Sequence, residues 1–468
     1  MQNRSVHRQG GFVLTALHMR RAAIGDGDVV LGCRQTDVTV NTYLRFNIAL
    51  RIMQPMRFTH TCIPKTRIVA IGKTKDSAPL QRIEWHRFVV FAQKIIKIRL
   101  LELVMERRKF LKGAGLAAGA VAGGFAAPAI AKADDTFNWR MVMPWPKGSP
   151  GLGANGEKFA ERVKKMSGGR LNIKVYGPGE LVPAFECMDA VEQGVAEMAH
   201  GTPYYWAGKD DAVNFFSTIP FGLTGWELSG WMRFGGGQAL WEELYSQFNV
   251  VPFLAGNTGL QAGGWFNKEI NTVDDIKGIK MRYAGIGGEA MRRLGAIVTM
   301  LPAAEILPAL QSGAIDAAEW VGPWNDYAFG LTQVAKYYYT PAFAEPGTGI
   351  EVFINKDKFN SLPEDLQEIV RVAAQANTEQ TLADFTYNNI ESYQAVLKKN
   401  IEIRHFPDEV IKALAKQSMD AVKEIAAKKE LNQRIYDSYM AFTKIAAPYG
   451  KAFEATCLMQ RAKVWEES

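Results

Sequence analysis

Gln261, Arg282, Glu319, Trp320 and Glu345 place polar groups at the ends of apolar segments that are rich in aromatic residues. Gln261 lies among glycines in "NTGLQAGGWF" (257–266), where main chain can come close to a ligand. Arg282 ends a short strand-like stretch in "KGIKMRYAG" (277–285). Glu319 and Trp320 follow the apolar "IDAA", and Glu345 precedes the turn of "FAEPG". Tyr204, Tyr205 and Trp206 cluster in "TPYYWAGK" (202–209). The equipment of catalysis is missing around them. Residues 134–468 hold no phosphate-binding loop, no G-x-S-x-G and no H-E-x-x-H, and their only histidines are His200 and His405. Such a set suits capture of a small molecule better than its conversion.

Each residue also has a plainer role open to it. An arginine at a strand end is ordinarily solvated or salt-bridged, and Glu319 can cap a following helix. Glu345 can be an exposed turn residue, and Tyr204, Tyr205, Trp206 and Trp265 can be packing.

Composition narrows the field. The net charge of +7 is unevenly spread: residues 1–104 carry +11, residues 105–133 carry +4, and residues 134–468 carry −8. An acidic body argues against a nucleic-acid partner. Cys187 and Cys457 have no spacing that suits zinc and are expected to be two buried thiols, with a disulfide as the alternative.

The elements that position the polar set follow from periodicity. "TFNWRMVMPW" (136–145), "RLNIKVYG" (170–177) and "AEMAHG" (196–201) are predicted strands. "GEKFAERVKKM" (156–166) and "AFECMDAVEQG" (184–194) are predicted helices between them. A second alternation runs through 250–256, 263–268, 272–285 and 303–320, giving two similar α/β units with a cleft between them. Ligands of such sheets bind beyond the carboxyl ends of strands, which is where the polar set falls. From Ser361 the chain is predicted helical to about 465, beginning with a long helix to about Lys399.

At this point five ordered blocks carry a resemblance: "PFGL" (220–223), "NTGLQAGGWF", "KGIKMRYAG", "ILPALQSGAIDAAEWVGPWND" and "GLTQVAKYYYTPAFAEPG". Over about residues 136–460 the chain resembles the periplasmic solute receptors of TRAP (tripartite ATP-independent) transporters. Within them it is most similar to the branch for 2-oxo acids such as pyruvate, with lactate receptors nearby. The resemblance implies a two-lobed α/β binding protein with parallel-type mixed sheets flanked by helices, a long connecting helix and a C-terminal helical extension. Lobe 1 would span about 134–257 and lobe 2 about 258–350, each with later segments.

It further implies a non-enzymatic receptor that closes on a small carboxylate and delivers it to the small and large membrane subunits of a permease. Arg282 matches the position that grips the ligand carboxylate; a guanidinium fork does this bidentately and lysine cannot. Gln261, Glu319, the main-chain carbonyl of Trp320 and Glu345 match the ligands of a bridging cation. All are hard oxygen donors, suited to Na⁺ or Ca²⁺. Asn257, Tyr205 and Trp320 are further candidates for the ligand's surroundings. Exchange of the C-terminal helix between two subunits, and so a homodimer, is also implied. "AFAEPG" lacks the bulkier aromatics common in that branch, which leaves the ligand's side chain open. The competing functions are a periplasmic metal-dependent enzyme acting on an oxo or hydroxy acid, and a receptor feeding a membrane sensor.

The stretch "MERRKFLKGAGLAAGAVAGGFAAPAIAKADD" (105–135) resembles a twin-arginine export signal. Arg107–Arg108 precede a weakly apolar Gly/Ala run, and Pro128 and "AIA" supply a cleavage site. "GAGLAA" (113–118) fits a dinucleotide pattern but lies inside this leader, without the strand that pattern needs. Met105 is therefore the expected initiator and 1–104 a spurious upstream extension, with a periplasmic body beginning near Lys132 or Asp134.

Overall fold

The computed structural model describes residues 135–466 and four short strands nearer the start. The chain divides into two units, Met1–Gly124 and Phe125–Ser468. In the first, Leu14–Leu17 pairs antiparallel with Gln35–Val38, and Arg20–Ile24 with Asp28–Gly32. The leader at 105–133, and the rest of 1–104, lie outside the described residues.

In the second unit the strands in chain order are β1 (Phe137–Val142), β2 (Leu171–Tyr176), β3 (Met198–Gly201), β4 (Val250–Asn257), β5 (Gly264–Phe266) and β6 (Lys280–Arg282). They continue as β7 (Ile297–Thr299), β8 (Ala317–Ala318), β9 (Tyr337–Thr340), β10 (Gly349–Asn355) and β11 (Glu402–His405). The first sheet has the order β2-β1-β3-β10-β4, and the second β7-β6-β8-β5-β9-β11. In the first, β1 runs parallel to β2 and β3, while β10 is antiparallel to β3 and β4. In the second, β6 is parallel to β7 and β8, and β5 is antiparallel to both its neighbours. Both are mixed sheets with helices packed on them, as the sequence predicts.

Local chemistry explains the elements. In β1, Trp139 and Met141 face inward while Asn138 faces solvent, the period of a half-buried strand. Helix α1 (Leu152–Met166) buries Leu152, Phe159, Ala160 and Val163 along one stripe. Helix α2 (Gly225–Phe234) opens with a reciprocal capping box between Thr224 and Glu227, an arrangement that stabilises a helix start by about 1 kcal/mol. Helix α3 (Pro323–Ala328) is a short turn after β8.

Helix α4 (Glu364–Leu397) is the long connector. Its buried Leu366, Val370, Ala373, Ala374, Asn377, Thr381 and Phe385 follow helical spacing, and it packs on β4 of the first sheet and on α3 beside the second. Phe385 fits only because Gly151 has no side chain: a Cβ there would sit 2.4 Å from the ring, at a φ of +64°.

The chain crosses between sheets repeatedly, since β10 returns to the first and β11 to the second. β11 corrects the expectation of an all-helical C-terminal region. Its "EIRH" is half charged and pairs on one side only, with β9, so it lacks the apolar signature of a buried strand. Helices α5 (Asp408–Ala427), α6 (Glu430–Tyr449) and α7 (Thr456–Glu466) complete the chain, and α7 is exposed along its length. Among the described residues no helix is long and apolar enough to cross a membrane. Cys187 is buried and Cys457 exposed, and both are free. The second corrects the expectation of two buried thiols.

One core acid is out of place. Glu351, on β10, is fully buried and accepts hydrogen bonds from Trp206 Nε1 (2.7 Å) and Tyr245 Oη (3.2 Å), while its Oε2 has no partner. Burial pushes its carboxyl up to about 8, against the two bonds that favour the charged form. A raised carboxyl binds its proton more tightly in the folded state, so its stabilising effect is complete below about pH 4.5 and is lost as pH rises through 8. Glu351→Gln is expected to gain about 4 kcal/mol of stability relative to wild type between pH 5 and pH 8. Urea unfolding of both proteins across that range checks this, and parallel pH curves would count against it.

Candidate functional site

Two crossing segments between the sheets lie side by side. The first, 258–263, leaves the end of β4; the second, 341–348, enters β10. Thr258 N–H donates to the Thr348 carbonyl (3.1 Å), and Gln261 N–H donates to the Glu345 carbonyl (3.3 Å). Gln261 Nε2 donates to both Thr258 Oγ1 (3.0 Å) and Thr348 Oγ1 (2.9 Å), and Thr348 Oγ1 donates to Glu345 Oε2. Gln261 and Glu345 are thus built into the connection between the lobes.

The second sheet supplies the other polar groups. Its parallel strands β6 and β8 end side by side, with Arg282 opposite Ala318, so Arg282 and Glu319 emerge together. Both are buried to 1% exposure. Arg282 Nη1 donates to Glu319 Oε2 (2.8 Å) and to the Glu319 carbonyl (2.5 Å), and the guanidinium lies 5.0 Å from the Trp320 ring centre. The salt-bridged alternative for this arginine is therefore also realised. Its Nε–H has no protein partner, however, and neither does Glu319 Oε1 or Gln261 Oε1.

The first lobe closes over this floor. Tyr204 and Tyr205 follow β3, and Tyr205 Oη accepts from Trp145 Nε1 (3.3 Å). A cavity of about 10 Å³ remains between Trp145, Tyr204, Tyr205, Gln261, Trp320 and Thr348. That is about the space one water needs, and Arg282, Glu319 and Glu345 lie outside its lining. Asn257 does not line it: its Oδ1 accepts from Gly259 N–H (2.8 Å) and shapes the start of the first crossing.

Electrostatics set this place apart. Burial drives the Glu319 carboxyl well above the ordinary range and the nearby Glu345 charge drives it further, while Arg282 opposes both. Burial pushes Glu345 up to about 7, against the Thr348 hydrogen bond and Arg282. Burial works against the Arg282 charge, but Glu319, Tyr205, Tyr204 and Glu345 together outweigh it and the arginine stays charged. Two buried carboxylates share one guanidinium, so both ionise together only if more positive charge arrives.

The residues present fit a hard cation. Glu319, Glu345 and Gln261 offer oxygens, two of them without any protein partner, and a cation would relieve the repulsion between the acids. Among the described residues no three His, Cys, Asp or Glu side chains converge on one metal position, so an ion here would rest on two carboxylates, an amide and a main-chain oxygen.

Thr258, Thr348, Tyr204 and Trp145 also belong to this site, and reasoning from sequence does not single out the threonines. Thr258 and Thr348 lie 90 residues apart and meet only because the crossings pair. Their signal is faint: each is a threonine beside glycine, Thr258 inside the block that holds Gln261 and Thr348 one residue past the block that holds Glu345.

Residues 141–429 match the family model for bacterial extracellular solute-binding protein, family 7. A relative from Nostoc sp., named a monocarboxylate 2-oxoacid-binding periplasmic protein, is 41% identical over 306 residues, 65% of this chain and 84% of that protein. The crystal structure of a TRAP periplasmic solute binding protein from Pseudoalteromonas atlantica, with bound sodium and pyruvate, is 37% identical. It aligns at a TM-score of 0.68 over 69% of this chain and 99% of its own. A TRAP transporter solute binding protein from Bordetella bronchiseptica is 32% identical, with a TM-score of 0.70 over 71% of this chain and 100% of its own. It was crystallised as a mixed occupancy dimer with calcium and picolinate in one active site. The two-sheet fold and the length of these matches agree: the chain belongs to the bacterial extracellular solute-binding protein family 7 and is a solute receptor of the TRAP transporter type.

Proposed function

We propose that the chain captures a small 2-oxo or 2-hydroxy monocarboxylate in the periplasm and hands it to a two-subunit membrane permease without altering it. The observation that carries this reading is the set of buried, unpartnered atoms at the lobe junction: Arg282 Nε, Glu319 Oε1 and Gln261 Oε1. One edge of the guanidinium is held by Glu319, which leaves the Nε edge for an anion. Gln261, Glu319, the Trp320 carbonyl and Glu345 would hold Na⁺ or Ca²⁺. Such an ion would supply positive charge to the anionic ligand and to the two glutamates that hold it. Trp320, Tyr205 and Tyr204 wall the ligand, and Asn257 supports the loop beneath it. Gln261 and Glu345 sit on the crossing segments, so binding energy acts directly on the hinge.

Relatives described as binding pyruvate with sodium, or picolinate with calcium, support the reading. The enzymatic alternative finds little support: His200 is buried in the first lobe with Nδ1 on the Glu351 carbonyl, and His405 on β11 meets Thr340 on β9. A thermal-shift screen of residues 134–468 with 2-oxo, 2-hydroxy and dicarboxylic acids, with and without Na⁺ and Ca²⁺, tests the assignment. Monocarboxylates should raise the melting temperature only when a cation is present. Absence of any shift rejects the ligand class, and chemical conversion of a bound acid rejects the receptor role.

Export by the Arg107–Arg108 leader, with translation from Met105, belongs to the same proposal. Peptide mapping of the precursor should recover nothing from residues 1–104. A homodimer is the expected assembly: α7 carries exposed Leu458, Met459 and Val464, an apolar length suited to a second subunit. Light scattering should give twice the chain mass, and a truncation after Tyr449 should give a monomer.

A further inference from the structure

We propose that Asp326 sets the charge preference of the cation site, fixing the Glu319–Val321 segment and adding a buried negative charge that favours a divalent over a monovalent ion. The inference rests on the reading that Gln261, Glu319, Trp320 and Glu345 hold the cation.

Asp326 lies on α3 and is 1% exposed. Its Oδ2 accepts from Trp265 Nε1 (2.8 Å) and Tyr338 Oη (2.9 Å), and its Oδ1 accepts from Val321 N–H (3.1 Å). Trp265 and Tyr338 stack at 4.0 Å, so this cradle is rigid. The Val321 carbonyl in turn accepts from Ala262 N–H (2.9 Å). Asp326 therefore fixes the spacing between Glu319–Trp320 on one side and Gln261 on the other, through the single residue Val321. It is a positioning residue that need not touch the ion.

Its charge acts separately from its bonds. All three donors are neutral, and among the described residues no ion pair reaches Asp326. The charge lies next to the site, because the Val321 N–H that Asp326 holds belongs to the same peptide as the Trp320 carbonyl, one of the proposed cation ligands. Glu319, Glu345 and Asp326 are three buried carboxylates against one buried guanidinium, Arg282. The monocarboxylate ligand adds another negative charge. A monovalent ion leaves most of this excess uncompensated, and a divalent ion removes one unit more. The unpartnered Oε1 atoms of Glu319 and Gln261 are the independent sign that a ligand belongs here.

Coulomb energies scale with the product of charges, so deleting the Asp326 charge weakens Ca²⁺ twice as much as Na⁺ on a logarithmic scale. Asp326→Asn keeps the size and the acceptor for Val321 N–H. At pH 8, without oxo acid, calorimetry with Ca²⁺ and displacement of Ca²⁺ by Na⁺ give both affinities for the whole protein. The expected losses are about tenfold for Ca²⁺ and about threefold for Na⁺. Equal losses for the two ions, the mark of a purely structural role, overturn the inference, as does no loss.

If Asp326→Asn does not fold, Tyr338→Phe decides. It keeps the carboxylate and strips one neutralising donor, so the Ca²⁺-to-Na⁺ preference should rise; an unchanged or smaller preference overturns the inference. Glu319→Gln separates the two levels. If it leaves Ca²⁺ affinity intact, the cation-site reading fails and takes this inference with it. If it abolishes Ca²⁺ binding while Asp326→Asn lowers both ions equally, only the inference about Asp326 fails.

Discussion

Arg282→Lys is expected to bind pyruvate at least 100-fold more weakly than wild type at saturating Ca²⁺, while its fold survives. The guanidinium is asked to do two things at once. Its Nη1 serves the Glu319 carboxylate and main-chain carbonyl, and its Nε is left for a second anion. A lysine ammonium gathers its donors at one point, so it can satisfy the buried Glu319 or the ligand but not both. Hydrogen bonds to charged groups stabilise by about 1.5–3 kcal/mol each, and 100-fold corresponds to about 2.7 kcal/mol. Lysine is a sharper test than alanine, because Arg282→Ala leaves Glu319 buried without its partner. That change costs about 3–5 kcal/mol of stability and confuses binding with folding. Calorimetric titration of wild type and Arg282→Lys, with melting curves of both, gives the answer. A lysine variant within about threefold of wild type would remove Arg282 from the ligand's contacts.

Much of this site was legible because its residues break the local rule of their surroundings. Arg282, Glu319 and Glu345 are charges beside apolar runs, and Gln261 is an amide between glycines, so each stands out within ten residues of sequence. The strands that carry Arg282 and Glu319 were legible for the same reason, as short apolar segments between turns. The crossings were not legible, because pairing of 258–263 with 341–348 is a long-range fact with no local signature. Thr258 and Thr348 inherit their roles from that pairing. Asp326 was hidden differently: "PWND" reads as a helix start, and its donors Trp265 and Tyr338 lie on strands β5 and β9, far away in sequence. β11 was missed because one-sided pairing leaves a strand half charged.

Cation affinity is expected to rise with pH, and each ion bound at pH 6 should expel at least one proton. The cause is the pair of buried acids. Burial pushes Glu345 up to about 7, and burial together with the Glu345 charge holds Glu319 well above its ordinary range. Without a cation Glu345 keeps its proton near pH 6 and Glu319 holds its own more tightly than an ordinary carboxyl, and a bound ion needs both ionised. For folding, the sign follows from the raised Glu345 carboxyl. Its contribution is complete below about pH 4.5 and is lost as pH climbs through 7, about 3 kcal/mol in all, while saturating Ca²⁺ abolishes that loss. Ca²⁺ affinity should therefore rise roughly tenfold per pH unit between 5 and 7 for each proton released, and flatten above 8 as far as Glu345 controls it. Titrations in two buffers of different ionisation enthalpy count the protons directly. Glu345→Gln removes its own share and should flatten the profile, at the expense of Ca²⁺ affinity at pH 8. A Ca²⁺ affinity that is constant from pH 5.5 to 8, with no proton released, would show that these carboxylates do not hold the ion.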